Sequence, residues 1–250
     1  MCVDCRCSEQ STLAPPSVTA EGQFTRFVPV MEGLLEKNNR QAHINRQLWK
    51  LRQHFVLNLV SSPGAGKTTL LVRSIERLRS KLPLAVIEGD QQTRRDADRI
   101  QSTGVPVEQI NTGKGCHLDA QMLATAYQNL EKCGNFVKGL LFIENVGNLV
   151  CPAGFDLGEN HKVVMLSVAE GEDKPLKYPD MFAAAELMLL TKTDLSEVLG
   201  FDTEQCLQYA RQVNPKLQIL QVSSRSDQGM DEWLSWLMQH YHANLLPSSI

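Results

Sequence analysis

From residue 55 onward the chain alternates short apolar runs with stretches in which apolar residues recur every three or four positions. The runs VLNLV (56–60), LAVIE (84–88), GLLFIE (139–144), KVVMLSV (162–168), ELMLL (186–190) and LQILQVS (217–223) end near Gly, Pro, Asn or other polar residues and predict strands. Helical spacing between them predicts helices over 68–81, 93–103, 118–133, 203–213 and 229–242. Strands that are apolar almost throughout and alternate with helices are buried on both faces. The pattern therefore predicts an α/β fold: a mostly parallel sheet with helices on both faces. In such a sheet the ligand sits outside the carboxyl ends of the strands. Upstream, Val30, Leu34, Leu35, Ile44, Leu48 and Leu51 recur among charged residues and predict an amphipathic helix over about 28–54. Residues 8–22 are polar, Pro-containing and without periodicity, as expected of a flexible linker. The expected division is a tail and linker over 1–27 and one domain with its N-terminal helix over 28–250.

Ser61-Ser62-Pro63-Gly64-Ala65-Gly66-Lys67-Thr68 lies between a predicted strand and a predicted helix, the context a phosphate loop requires. The pattern G-x-x-x-x-G-K-[ST] has Ser61 in place of its first glycine. Gly64, Ala65 and Gly66 let the backbone turn its N–H groups toward phosphate oxygens, followed by Lys67, Thr68 and Thr69. Lys67 is expected to reach the β and γ phosphates of a nucleoside triphosphate, and the Thr68 hydroxyl to ligate Mg²⁺. Asp90 and Glu144 end two strands beside this loop. Either carboxylate can hold Mg²⁺, directly or through water, or orient the attacking water; their individual roles stay open. Gly147 is placed to sense the γ-phosphate.

Thr191-Lys192-Thr193-Asp194 follows the strand ELMLL and resembles the Asn-Lys-x-Asp loop of GTP-binding proteins, with Thr191 replacing Asn. Asp194 can accept hydrogen bonds from guanine N1–H and the N2 amino group. Adenine would leave that carboxylate unpaired, so guanine is favoured. The Lys192 stem can pack over the base. Ser223-Ser224-Arg225, after the last strand, resembles the loop that offers the base a backbone N–H.

Three of the seven cysteines, Cys2, Cys5 and Cys7, crowd the first seven residues. Thiolates at C-x-x-C-x-C can wrap one Ni²⁺ or Zn²⁺ with a fourth donor, and the α-amino group is close enough to serve. Cys116-His117 and Cys151 offer two sulfurs and an imidazole near the nucleotide loops. On residues alone an isolated Cys-His pair reads as local packing. Cys133 and Cys206 sit in or near helices and read as packing residues. The odd cysteine count is a poor disulfide framework. With 25 Lys and Arg against 28 Asp and Glu, the net charge of −3 argues against a general nucleic-acid binder. No apolar run approaches the roughly 18 residues of a membrane span, so no membrane insertion is expected. The opening MCVDCRCSEQ lacks the order of a secretory signal, and the expected location is the cytoplasm.

Taken together, CVDCRC, SSPGAGKTTLL, VIEGDQQTRRDADRI, NTGKGCHLDA, LLFIENVGNLVCPAGFDLGE, SVAEGEDKPLKYPDMF and LLTKTDL resemble the hydrogenase nickel-incorporation GTPases, the HypB family. The resemblance covers about 30–240 and the extreme N-terminus. It implies a SIMIBI-class P-loop NTPase that hydrolyses GTP slowly, dimerises in its GTP state, and delivers nickel to the large subunit of [NiFe] hydrogenase alongside a HypA-family nickel chaperone. It makes Cys2, Cys5 and Cys7 the N-terminal nickel site. It also turns Cys116, His117 and Cys151 from packing residues into a nickel or zinc site of the GTPase domain. A lysine of GEDKPLKYP, Lys174 or Lys177, is implied at the partner's nucleotide. The family usually has Asn at position 191, and the six scattered His argue against nickel storage. Two other readings are a urease-type nickel GTPase and a nickel carrier with a vestigial GTPase. Ala153 after Cys151-Pro152 departs from the Cys-Pro-His motif of the urease type. A phosphotransferase using the same loop is a third.

Overall fold

The computed structural model describes residues 24–246 except 92, 133 and 135. Among these residues β1 (Phe55–Ser61), β2 (Leu84–Asp90), β3 (Val107–Asn111), β4 (Leu140–Gly147), β5 (His161–Ser167), β6 (Leu187–Thr191) and β7 (Gln218–Val222) form one parallel sheet. Their order is β3-β2-β4-β1-β5-β6-β7. The helices are α1 (Phe24–Arg52), α2 (Lys67–Leu78), α3 (Arg95–Gln101), α4 (Ala120–Lys132), α5 (Lys174–Lys177), α6 (Pro179–Ala184), α7 (Ser196–Leu199), α8 (Thr203–Val213) and α9 (Met230–Leu245). From Leu35 onward the chain packs as one compact unit, which holds the whole sheet.

β1 shows why these residues make this sheet. All seven of its residues are buried, and successive side chains point to opposite faces. Phe55, Leu57 and Leu59 pack with Leu70, Leu71 and Ile75 of α2 and Trp233 of α9. On the other face Val56 joins Ile87 and Ile143 against Trp49 and Tyr127. Val60 packs with Val164, Leu166, Phe182 and Cys206.

One strand escapes the apolar pattern, and the docking face of one helix needs correction. The run VEQIN forms the edge strand β3, although its polar residues break the apolar pattern; the half-buried edge tolerates them. In α1, Ile44 and Leu51 are exposed, at 55 % and 79 %. The side of α1 that docks is instead carried by Ala42, Asn45 and Trp49, all buried. Asn45 Nδ2 donates to the carbonyls of Ala120 and Leu157, at 2.8 and 3.1 Å. A seam made by hydrogen bonds is invisible to an apolar stripe.

Candidate nucleotide cleft and metal cluster

The carboxyl ends of the strands converge on one cleft. β1 leads into the phosphate loop, and Gly66 holds φ at +100, a left-handed conformation that strains residues bearing a side chain. This turn starts α2 at Lys67, with the first N–H groups of the helix lacking intrahelical partners at its positive end. Lys67 Nζ donates to Ser61 Oγ at 2.8 Å. Ser61, standing where the motif has glycine, therefore seats the lysine. Burial lowers the Lys67 pKa, while Glu144 opposes the shift.

Between β1 and β4 the pairing slips: Leu59 pairs with Glu144 but Ser61 with Gly147. β4 thus carries one extra residue, a bulge that re-aims its end. Thr68 Oγ1 donates to Glu144 Oε1 at 2.7 Å. Asp90 Oδ2 accepts from Thr93 N and Thr93 Oγ1, at 2.8 and 2.7 Å. A Cβ on Gly147 would lie 3.0 Å from Pro63, a tight contact, so glycine eases the close approach of this backbone to the phosphate loop. Lys67, Thr68, Asp90, Glu144 and Gly147 line a cleft of about 460 Å³.

Glu88, Asp96 and Arg99 line it too, and sequence reasoning missed all three. The available signal for Glu88 was a carboxylate inside an otherwise apolar strand. Glu88 Oε2 and Glu144 Oε2 are buried and meet no hydrogen-bond partner among the described residues. Burial pushes Glu88 up to about 8, helped by the charges of Glu144 and Asp90. Burial also pushes Glu144 up to about 7, against the pull of Lys67 and Thr68. Orphaned buried carboxylate oxygens call for a proton or a cation, and this all-oxygen donor set suits a hard divalent ion such as Mg²⁺.

A second cavity of about 220 Å³ adjoins the first, lined by Ala65, Gly66, Thr69, Lys192, Asp194 and Ser223–Arg225. It brings together the two loops expected to hold a base. Thr191 Oγ1 donates to Ala65 O at 2.7 Å, bracing the phosphate loop. Lys192 Nζ donates to Gly64 O at 2.7 Å. Asp194 Oδ1 accepts from Ser223 Oγ at 2.6 Å, which fixes the carboxylate.

Cys116, His117 and Cys151 converge as well. One ligand atom from each lies within 4.8 Å of the others. Cys116 Sγ is 2.8 Å from Cys151 Sγ and 3.6 Å from His117 Nδ1. The hydrogen bond to Cys151, followed by burial, raises the Cys116 thiol above its ordinary pKa. Burial lowers the His117 pKa, which favours the neutral, ligating imidazole. Two sulfurs and one imidazole suit a borderline ion such as Zn²⁺ or Ni²⁺. Cys2, Cys5, Cys7 and Cys133 lie outside the described residues. Cys206 is fully buried in the sheet's core, a packing residue as expected. Lys174 lies 3.9 Å from Glu170 and over the Tyr178 ring, and Lys177 pairs with Asp173 at 2.7 Å. Among the described residues no helix is long and apolar enough to cross a membrane.

Comparison with known proteins agrees with this architecture. Residues 55–221 match the CobW/HypB/UreG nucleotide-binding domain. The hydrogenase maturation factor HypB of Azotobacter vinelandii is 62 % identical over 213 residues, 85 % of this chain and 69 % of its own. That of Escherichia coli (strain K12) is 61 % identical over 212 residues, 85 % of this chain and 72 % of its own. The crystal structure of HypB from Helicobacter pylori in complex with nickel aligns with a TM-score of 0.79 at 38 % identity, covering 86 % of this chain and 99 % of that one. The chain belongs to the HypB family of hydrogenase maturation factors and carries the nucleotide-binding domain of the CobW/HypB/UreG group.

Proposed function

We propose that this protein is a GTP-hydrolysing metallochaperone that binds nickel and couples GTP hydrolysis to nickel insertion into [NiFe] hydrogenase. One observation carries the coupling: a single segment, 144–151, runs from the phosphate cleft to the cysteine cluster. Asn145 Oδ1 accepts from Leu118 N at 3.2 Å, and Asn148 Nδ2 donates to Cys116 O at 3.1 Å. Movement of Glu144–Gly147 on loss of the γ-phosphate is thereby passed to both halves of the metal cluster.

In this reading Lys67 and the N-terminus of α2 bind the β and γ phosphates, and Asp194 with Ser223 selects guanine. Thr68, Asp90 and Glu144 would hold Mg²⁺, and a cation there would offset charge building on the phosphates. Either Asp90 or Glu144 can also orient the attacking water. Nickel is cargo: Cys116, His117 and Cys151 hold it, and the two thiols must lose their protons to do so. The implied partners are the hydrogenase large subunit, a HypA-family chaperone and a second copy of this chain in the GTP state.

The test is a Ni²⁺ titration of the full chain, once with GDP and once with a non-hydrolysable GTP analogue, followed by sulfur-to-nickel charge-transfer absorption. Typical allosteric coupling of about 1–3 kcal/mol predicts a 5- to 150-fold difference between the curves in the weaker binding phase. Superimposable curves at full nucleotide occupancy would remove the coupling and leave a nickel carrier.

A further inference from the structure

One cation in the cleft has no part in the mechanism above. Arg99, on α3, lines the same cleft as Lys67 and Thr68. Its Nη2 donates to Thr69 Oγ1 at 3.1 Å, and its Nη1 lies 3.3 Å from Asp96 Oδ1. A contact from α2 and another from α3 therefore hold the guanidinium against the phosphate-loop helix. The side chain remains 50 % exposed, with N–H groups left over for a ligand.

Thr69 borders both cavities, the one at the base loops and the one at Lys67. With Gly66 and Lys192, which border both as well, it marks their junction. A nucleotide lying across both places its base by Asp194 and its terminal phosphates by Lys67 and Thr68. The phosphate next to the ribose then falls at the junction, beside Thr69. Lys67 is committed to the far end, where it reaches Ser61. Lys192, also at the junction, has its Nζ turned onto Gly64 O at 2.7 Å. Asp90 and Asp96 line the cleft, so an anion held there gains from a further cation.

We propose that Arg99 is a nucleotide-binding residue whose guanidinium grips the first phosphate, exchanging part of its contact with Asp96 for phosphate oxygens. A guanidinium fork matches a phosphate better than an ammonium does. The inference rests on the reading of the cleft as a guanine-nucleotide site. GDP and GTP carry the first phosphate alike, so the contact strengthens both equally. It acts on KM and leaves kcat alone, as uniform binding does.

The full chain, with Mg²⁺, is titrated with GDP, a non-hydrolysable GTP analogue and guanosine. Arg99→Ala should weaken GDP and the analogue by the same factor, about tenfold for one charge-assisted contact, and leave guanosine unchanged. Arg99→Lys should recover part of the loss. A loss confined to the triphosphate would assign the guanidinium to the γ-phosphate and overturn the proposal. So would a loss that extends equally to guanosine, which would mark a structural role, or no loss at all. A wild-type preference for ADP over GDP would overturn only the base assignment, and Arg99 would then be read with ADP against adenosine. Failure to bind either would overturn both.

Discussion

Thr191 illustrates how one side chain can be replaced without losing its mechanical role. The residue is 5 % exposed, and its hydroxyl donates to Ala65 O, tying the base loop to the phosphate loop. The brace that an Asn-Lys-x-Asp loop needs is thus present with Thr at its first position. Asp194 has the more demanding task. Ser223 occupies one face of its Oδ1, and each carboxylate oxygen still offers a lone pair to the cavity. Asp194→Asn turns one acceptor into a donor, facing it toward guanine N1–H or the N2 amino group. GTP affinity should fall at least about tenfold, and xanthosine triphosphate, which offers an acceptor at that edge, should gain. Equilibrium titration with both nucleotides checks this; no change in either would sink the guanine assignment. Lys67, Thr68 and Asp194 were legible in sequence because their chemistry is tied to spacing along one loop. Glu88 and Arg99 were not, because they enter the cleft from β2 and α3 and only the sheet order brings them beside α2.

At the scale of elements, β5 controls where Cys151 sits. Lys162, 7 % exposed, donates from Nζ to the carbonyls of Pro152, Ala153 and Phe155, at 3.1, 3.3 and 3.2 Å. Those carbonyls belong to or follow the short turn Cys151–Ala153. Its ammonium lies 3.9 Å from Glu159 Oε1, and Asn58 of β1 donates to the same oxygen at 2.9 Å. Asn145, in turn, donates to Asn58 Oδ1 at 3.2 Å. A buried polar chain thus pins the cysteine turn to the central strands. Lys162→Met would leave Glu159 without its cation and three carbonyls without their donor. Urea unfolding should show a loss of about 3 kcal/mol, the usual cost of stranding a buried charge. Metal affinity at Cys116, His117 and Cys151 should fall with it. Adding Glu159→Gln should return part of the stability. Unchanged stability in Lys162→Met would mean that the turn holds itself. No local pattern announces such a device, since an isolated Lys at a strand start reads as solvated. The strands themselves were legible because burial on both faces leaves an apolar signature. β3 and the docking side of α1 were not, because one is half exposed and the other is seated by Asn45.

For the molecule as a whole, two pairs of buried groups pull its pH dependence in opposite directions. His54 is buried between Tyr127 and Phe136; its Nδ1 accepts from Gly139 N at 3.4 Å, so Nε2 carries the proton toward Tyr127 Oη at 2.7 Å. Burial holds it down at about 4, with Arg52 adding to the effect. His161, beside Phe55, Trp236 and His240, is also held at about 4, by burial and then by His240. Below their ordinary 6.5 the unfolded chain takes up protons that the folded chain refuses. These histidines therefore withdraw stability as pH falls from 6.5 toward 4. Glu88 and Glu144 do the reverse. Without nucleotide or Mg²⁺ they titrate at about 8 and about 7, above the ordinary 4.5. The folded chain then holds protons that the unfolded chain releases, and stability rises as pH falls from 8 toward 4.5. Near pH 5.5 the two pairs nearly cancel. Urea unfolding with a chelator and no nucleotide, between pH 5 and 6.5, should show each pair once the other is thinned. Glu88→Gln removes one proton from the folded chain, so its stability should climb with pH by about 1.4 kcal/mol per unit more than wild type. His54→Gln removes one from the unfolded chain, and its slope should shift by the same amount in the opposite direction. Slopes that moved together, or not at all, would mean that the cleft carboxylates ionise as exposed ones do, and that their burial does not hold a proton ready for the cation that replaces it.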